Sequence, residues 1–215
     1  METKTMQAPS QNGTTTKTKN GPVKVKVTLT SKGNGLLMNP MTEDLLDELA
    51  GVKSKAVSDK DTPLADRAAK KVIRNEDNEI GLPVEYILAA LINAGRHVKN
   101  GKDKISTAVS TTLYEFLSIN ESFLPFANQE NNWKIDKRRG VLNNAGKSVA
   151  VAIIRPLFKQ WETSLIIEVD TTVMSTDVVK KIFETAGSKI GVGDYRPAKK
   201  GPFGMFSVTG WEVQS

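Results

Sequence analysis

The chain has 215 residues, 39% hydrophobic and 25% charged, an ordinary globular mixture long enough to bury a core and too apolar for wholesale disorder. It contains no cysteine and one histidine, His97, which excludes disulfide scaffolds, thiolate metal sites, cysteine nucleophiles and most imidazole-based centres. The net charge of +6 lies largely near the N-terminus, where five lysines within residues 1–26 face Glu2 alone; the body is close to neutral, so a polyanion site has to be a local patch.

Residues 1–22 are Thr, Lys, Asn, Gln, Gly and Ser with almost nothing to bury, and read as a disordered basic arm. Residues 23–30 (VKVKVTLT) alternate apolar and polar side chains, the period of a half-buried strand. After two glycines, Leu36-Leu37-Met38 is an apolar run stopped by Asn39-Pro40, expected to tuck back against the core. Thr42 then caps a short helix with acids in its first turn and Leu45, Leu46 and Leu49 as its apolar side.

Residues 51–61 are polar and read as a loop. Helical spacing follows over 62–73, 84–98 and 103–117, the last with Ile105, Val109, Leu113, Phe116 and Leu117 on one stripe. Residues 120–132 are irregular and pinned by Phe123, Leu124 and Phe126. Two β-branched segments, 149–154 and 164–169, predict an antiparallel pair. Ser175 or Thr176 caps a helix carrying Val178, Val179, Ile182, Phe183 and Ala186, with Gly187 at its left-handed stop, and 203–213 alternates as a closing strand. The order is βαββαβ, which predicts an α+β, ferredoxin-like (RRM-like) antiparallel sheet. The helical insertion at about 62–117 lies in the first crossover of a single domain, 23–215. The longest wholly apolar run, 149–154, is too short to cross a bilayer, and the N-terminus lacks a signal-peptide core, so a cytoplasmic protein of a prokaryotic cell with no membrane partner is expected.

The stretch 187–206 holds five of the 16 glycines. Gly191, Gly193, Gly201 and Gly204 allow close approach of backbone to a ligand, and exposed amides in such turns form anion-binding concavities. Lys189, Arg196, Lys199 and Lys200 against Asp194 add cations, and Tyr195 and Phe203 add faces on which bases stack. Arg196 precedes Pro197, which biases it to extended backbone and presents its guanidinium outward. No Gly-Lys-Ser/Thr closes the loop, and its glycines follow a helix, so neither a Walker loop nor a dinucleotide fingerprint is present. A second cluster, Lys137, Arg138 and Arg139 with Lys134 and Lys147, and Arg155 before Pro156, are candidates to extend a phosphate track. The competing reading is structural: tight turns for the glycines, solvated loops for the cations, and a salt bridge for Arg155.

Gly191-Val192-Gly193 and Gly201-Pro202-Phe203-Gly204, between the last helix and last strand, resemble the RAMP superfamily, the repeat-associated RNA-binding proteins of CRISPR systems. The opening strand followed by Gly35-Leu36-Leu37-Met38 is similar to the start of Cascade backbone subunits, and the seven residues between the glycine pairs exceed the family spacing. Phage and prophage proteins share the pattern of Gly193 to Pro197 and Gly201 to Phe206. The resemblance implies a subunit lying along single-stranded RNA, a CRISPR-type guide among the candidates, or single-stranded DNA, sequence-independently and without a cofactor or metal, and assembling with copies of itself or other effector subunits. Some of that superfamily cut RNA with a histidine, but His97 sits at a predicted helix end, where a cation suits the dipole, and the adjacent pairs Glu43/Asp44 and Glu76/Asp77 do not face one another; no catalytic residue is expected. The alternative is a phage structural or protein-interaction protein of RAMP-like fold that uses Leu36 to Met38 and Phe123 to Phe126 as apolar contacts.

Overall fold

The computed structural model describes residues 21–52, 61–144 and 147–214. The expected basic arm (but for Gly21 and Pro22) and most of the 51–61 loop lie outside them, as does the side chain of Lys147. In chain order the elements are β1 (Pro22–Lys32), β2 (Leu36–Leu37), α1 (Glu43–Leu49), α2 (Leu64–Ala69), β3 (Gly81–Pro83), α3 (Val84–Ala94), β4 (Lys99–Asn100) and β5 (Asp103–Lys104). There follow β6 (Leu117–Ile119), β7 (Phe123–Pro125), β8 (Lys134–Asn144), β9 (Lys147–Phe158), β10 (Glu162–Asp170), α4 (Thr176–Thr185) and β11 (Met205–Gln214). It is a mixed α and β chain with antiparallel sheets and few helices.

The main sheet runs β11-β1-β10-β6, with every neighbour antiparallel. The alternation of β1 sends Val25, Val27 and Leu29 into the core, where they meet Leu165, Ile167 and Val169 of β10. Helices α3 and α4 cover that face with Ile87, Leu91, Val179, Ile182 and Phe183, all fully buried. Ser175 caps α4, its hydroxyl accepting from the Val178 amide at 3.4 Å. The opposite face is open. There Thr28 meets Ser164 at 3.0 Å, Thr30 meets Thr209 at 2.8 Å and Lys24 pairs with Glu168 at 3.2 Å; no aromatic ring stands on it among the described residues.

A second sheet, β2-β9-β8, is a long hairpin rooted beside the first. Leu36 pairs with Phe158 there, and Phe158 packs edge-on against Phe126, which stacks on Trp161 at 5.6 Å; this aromatic cluster is where the sheets join. The expected antiparallel pairing of 149–154 with 164–169 is therefore corrected: β9 pairs with β8 and β2, and β10 lies between β1 and the three-residue β6. A β-branched run marks a strand without naming its partner.

The helical block is also smaller than expected. The segment 62–73 is helical only in α2, and 103–117 holds no α-helix, leaving Val109 96% exposed. Its threonines take backbone donors instead: Thr107 Oγ1 accepts from the amides of Val109 and Ser110 at 3.3 and 3.1 Å. Leu45, Leu46 and Leu49 of α1 are exposed rather than packed. Gly187 is not the stop of α4, because a π-helical turn, Ala186–Ile190, continues the chain to Gly191, whose φ is +72°.

Candidate nucleic-acid interface

The loop between Ile190 and Met205 is built inward. At Gly193 (φ +71°) a Cβ would lie 2.6 Å from the Leu37 carbonyl oxygen, and at Gly204 (φ +70°) it would overlap the Val192 carbonyl, so both positions need glycine for conformation and for space. The amides of Val192 and Asp194 donate to Gly204 O (2.8 Å) and Leu37 O (2.9 Å), and those of Gly201, Phe203 and Gly204 donate to Arg196 O (3.0 Å), Tyr195 O (3.2 Å) and Gly35 O (2.7 Å). These amides close the loop onto itself and onto β2. The expected concavity of exposed amides is not made by them.

The hairpin is locked to the same loop by charge. Arg155, 3% exposed, stands opposite Asp136 in the β8–β9 register and donates Nη2 to Asp136 Oδ2 at 2.6 Å and Nη1 to Asp194 Oδ2 at 2.7 Å. Asp136 also accepts from Arg138 Nε at 2.8 Å, and Asp194 from the Tyr195 amide at 2.8 Å and Asn39 Nδ2 at 3.0 Å. Burial pushes the Asp194 carboxyl up, but the Arg155 hydrogen bond, the Tyr195 amide, the Arg155 charge and Asn39 together hold it below the ordinary aspartate range. Arg155 Nε is buried with no partner. The expectation that Arg155 contacts nucleic acid is thus corrected: both of its terminal nitrogens face carboxylates inside the fold, as a structural salt bridge requires.

Phe203 is likewise buried, at 4%, and not a stacking face; its ring supports its neighbours. The Arg138 guanidinium lies over it at 4.8 Å and beside the Tyr195 ring at 5.9 Å, a cation–π arrangement in which the Arg138 side chain is 42% and Tyr195 39% exposed. Lys189, Lys199 and Lys200 are exposed. Lys137 and Arg139 are also exposed, but strand alternation puts them on the face of β8 opposite Arg138. Arg196 is extended before Pro197, as expected, yet its Nη1 turns back to Gly193 O at 2.8 Å. It lines a cleft of about 340 Å³ between α3 and the loop, with Tyr86, Asn93 and Glu85 on the helix side. Burial raises the Tyr86 hydroxyl above the ordinary tyrosine range, opposed by the charge of Arg196.

The sequence alone does not single out Asn39 or Tyr86, and it offers Asp136 and Asp194 only as counter-charges to the basic clusters. Their roles depend on which strands and loops meet, and the only local signal was an aspartate three residues before a proline-fixed loop turn. Among the described residues there is no group of three or more His, Asp or Glu side chains able to hold a metal, and no helix long and apolar enough to cross a membrane.

No protein-family model and no curated protein matches the chain. Among solved structures it is similar to a chain of the Type III-B Cmr-beta complex bound to cognate target RNA, determined by cryo-EM, with a TM-score of 0.46 and 13% identity. The match covers 90% of this chain and 61% of the other, so this chain spans less than two thirds of that neighbour's length.

Proposed function

We propose that the chain binds single-stranded nucleic acid, RNA foremost, along its phosphate backbone, and that the binding face is the glycine loop with the adjoining edge of β8. The observation that carries this reading is the preorganised, exposed pair Arg138 and Tyr195 seated on buried Phe203, in a loop that also exposes Lys199 and Lys200. A held cation beside an exposed ring is what backbone-plus-stacking recognition uses. The open face of the main sheet is the weaker candidate, because Thr28, Thr30 and Lys24 are paired across its strands and it offers no ring for a base among the described residues. The same reading takes the strand order, with two interleaved βαβ crossovers, as ferredoxin-like and the chain as RAMP-like, and assigns it no catalytic group.

The test is fluorescence anisotropy with a labelled oligoribonucleotide across a salt series. Log affinity is expected to fall with log salt at about 0.7 per phosphate contact. Arg138→Ala with Lys199→Ala and Lys200→Ala should lower affinity by at least about tenfold and flatten the slope. Unchanged binding in that triple variant would remove the loop from the reading. A protein-interaction role is the second reading, favoured by α1, where Leu45, Leu46 and Leu49 are 39%, 51% and 68% exposed; an oligonucleotide-blind protein that self-associates would support it.

A further inference from the structure

We propose that the cleft between α3 and the glycine loop receives one unstacked nucleobase, guanine in preference to the other three. The inference rests on the nucleic-acid reading above and adds a base-reading subsite to it.

The cleft is walled by groups without bulk: Ala89 and Ala90 on α3, and the backbone of Gly191 and Gly193 across from them. Its volume of about 340 Å³ is at the small end of ligand sites, enough for a nucleoside and not for a strand. Around these walls stand polar groups the fold does not use. Arg196 makes one hydrogen bond among the described residues, through Nη1, leaving Nε and Nη2 as donors. The Tyr86 hydroxyl and the Glu85 carboxylate have no hydrogen-bond partner among the described residues, and Asn93 uses only its Nδ2, on Ala89 O at 2.7 Å. Tyr86 is partly buried and Glu85 exposed, so a hydroxyl and a carboxylate stand at the slot uncommitted to the fold.

Charge decides what kind. Asp194 is already matched by Arg155, so Arg196 and Glu85 leave the cleft close to neutral, and a neutral heterocycle suits it better than a phosphate, which would meet the Glu85 carboxylate. Among the bases, guanine presents O6 and N7 as adjacent acceptors for a guanidinium and N1–H with N2–H₂ as adjacent donors for a carboxylate. Arg196 and Glu85 supply that complementary pair on the two sides of one slot, and an alanine wall admits a flat ring.

The experiment compares oligouridylate with the same oligomer carrying one central guanosine, adenosine or cytidine, and in parallel titrates guanosine alone while following the amide signals of Gly191 and Gly193. The guanosine-bearing oligomer is expected to bind about tenfold tighter, the value of one good bidentate base contact. Glu85→Gln should remove most of that preference, and Ala89→Phe, which fills the slot from an exposed helix position, should abolish it; both should leave the affinity and salt slope for oligouridylate unchanged. Equal binding of all four bases, with oligouridylate still bound in a salt-dependent way, overturns the cleft while the backbone-binding reading stands. If no oligomer binds, the backbone-binding reading fails, and the guanosine titration decides the cleft by itself: shifts at Gly191 and Gly193 support it, and their absence overturns it.

Discussion

Replacing Arg155 by methionine tests whether the hairpin and the glycine loop are held together by the Asp136–Arg155–Asp194 bridge. The substitution keeps most of the side-chain volume, so the loss measured is that of two charge-assisted hydrogen bonds, at 2.6 and 2.7 Å, and of the positive charge. Removing one member of a buried ion pair costs about 3–5 kcal/mol, because the partner stays buried and uncompensated. Here Asp136 retains Arg138, and Asp194 retains the Tyr195 amide and Asn39, so the expected cost is at the low end, about 3 kcal/mol. For a domain of this size that lowers Tm by roughly 6–12 °C and shifts the urea midpoint without changing the slope. Adding Asp136→Leu to Arg155→Met removes the more buried of the two carboxylates left behind, its side chain 7% exposed against 35% for Asp194, so the double variant should regain about 1 kcal/mol or more over the single one. Loss of less than about 1 kcal/mol in the single variant, or no recovery in the double, would refute the assignment of Arg155 to the fold.

The Asp194 carboxyl, held below its ordinary range, contributes stability that is complete above the unfolded aspartate value of about 3.9 and is lost as pH falls through the lower folded value. Asp194→Asn should therefore flatten the acid limb of a stability-against-pH curve from circular dichroism melts, and an unchanged limb would count against the bridge. Gly204→Ala, with φ +70° and the Val192 carbonyl in the way, should cost well over the ~1 kcal/mol expected of Gly33→Ala, whose φ is +71° in open space; equal losses in urea would show that the loop relaxes freely. Phe183→Ala, at a fully buried ring 6.0 Å from Trp211, should cost about 3–5 kcal/mol by the same measurement, and a cost below about 1 would move α4 off the sheet.

Elements whose pattern is local were legible before the structure. β1 and β10 alternate cleanly, α4 has a capping serine and a strong apolar face, and Leu36 to Met38 is a buried run in an otherwise polar region. β8 was not legible, because KIDKRRGVLNN puts charge on both faces; it is a strand through the eleven pairings β9 offers it, and its own composition reads as a solvated loop. The false helix over 103–117 shows the converse error. Its stripe of Ile105, Val109, Leu113 and Phe116 has helical spacing, but the Thr107 hydroxyl captures the amides of Val109 and Ser110, donors such a helix would need. One missed strand and one false helix then misplaced β9, since without β8 and β6 the nearest strand left to pair with β10 was β9.

The same logic separates two ways in which a glycine-rich basic loop can meet an anion. If the amides formed the cradle, removing the lysines would leave much of the affinity in place, because oriented backbone donors would still face the phosphate. Here five of those amides are committed to carbonyls of the loop and of Gly35 and Leu37, so the glycines serve the packing of the loop and the side chains face the solvent. On the function proposed above, phosphate recognition would then fall to Arg138, Lys199 and Lys200, whose charges are additive and screened. Neutralising all three should abolish the salt-dependent part of the affinity and not merely weaken it, whereas a residual steep salt slope would return the amides to the site.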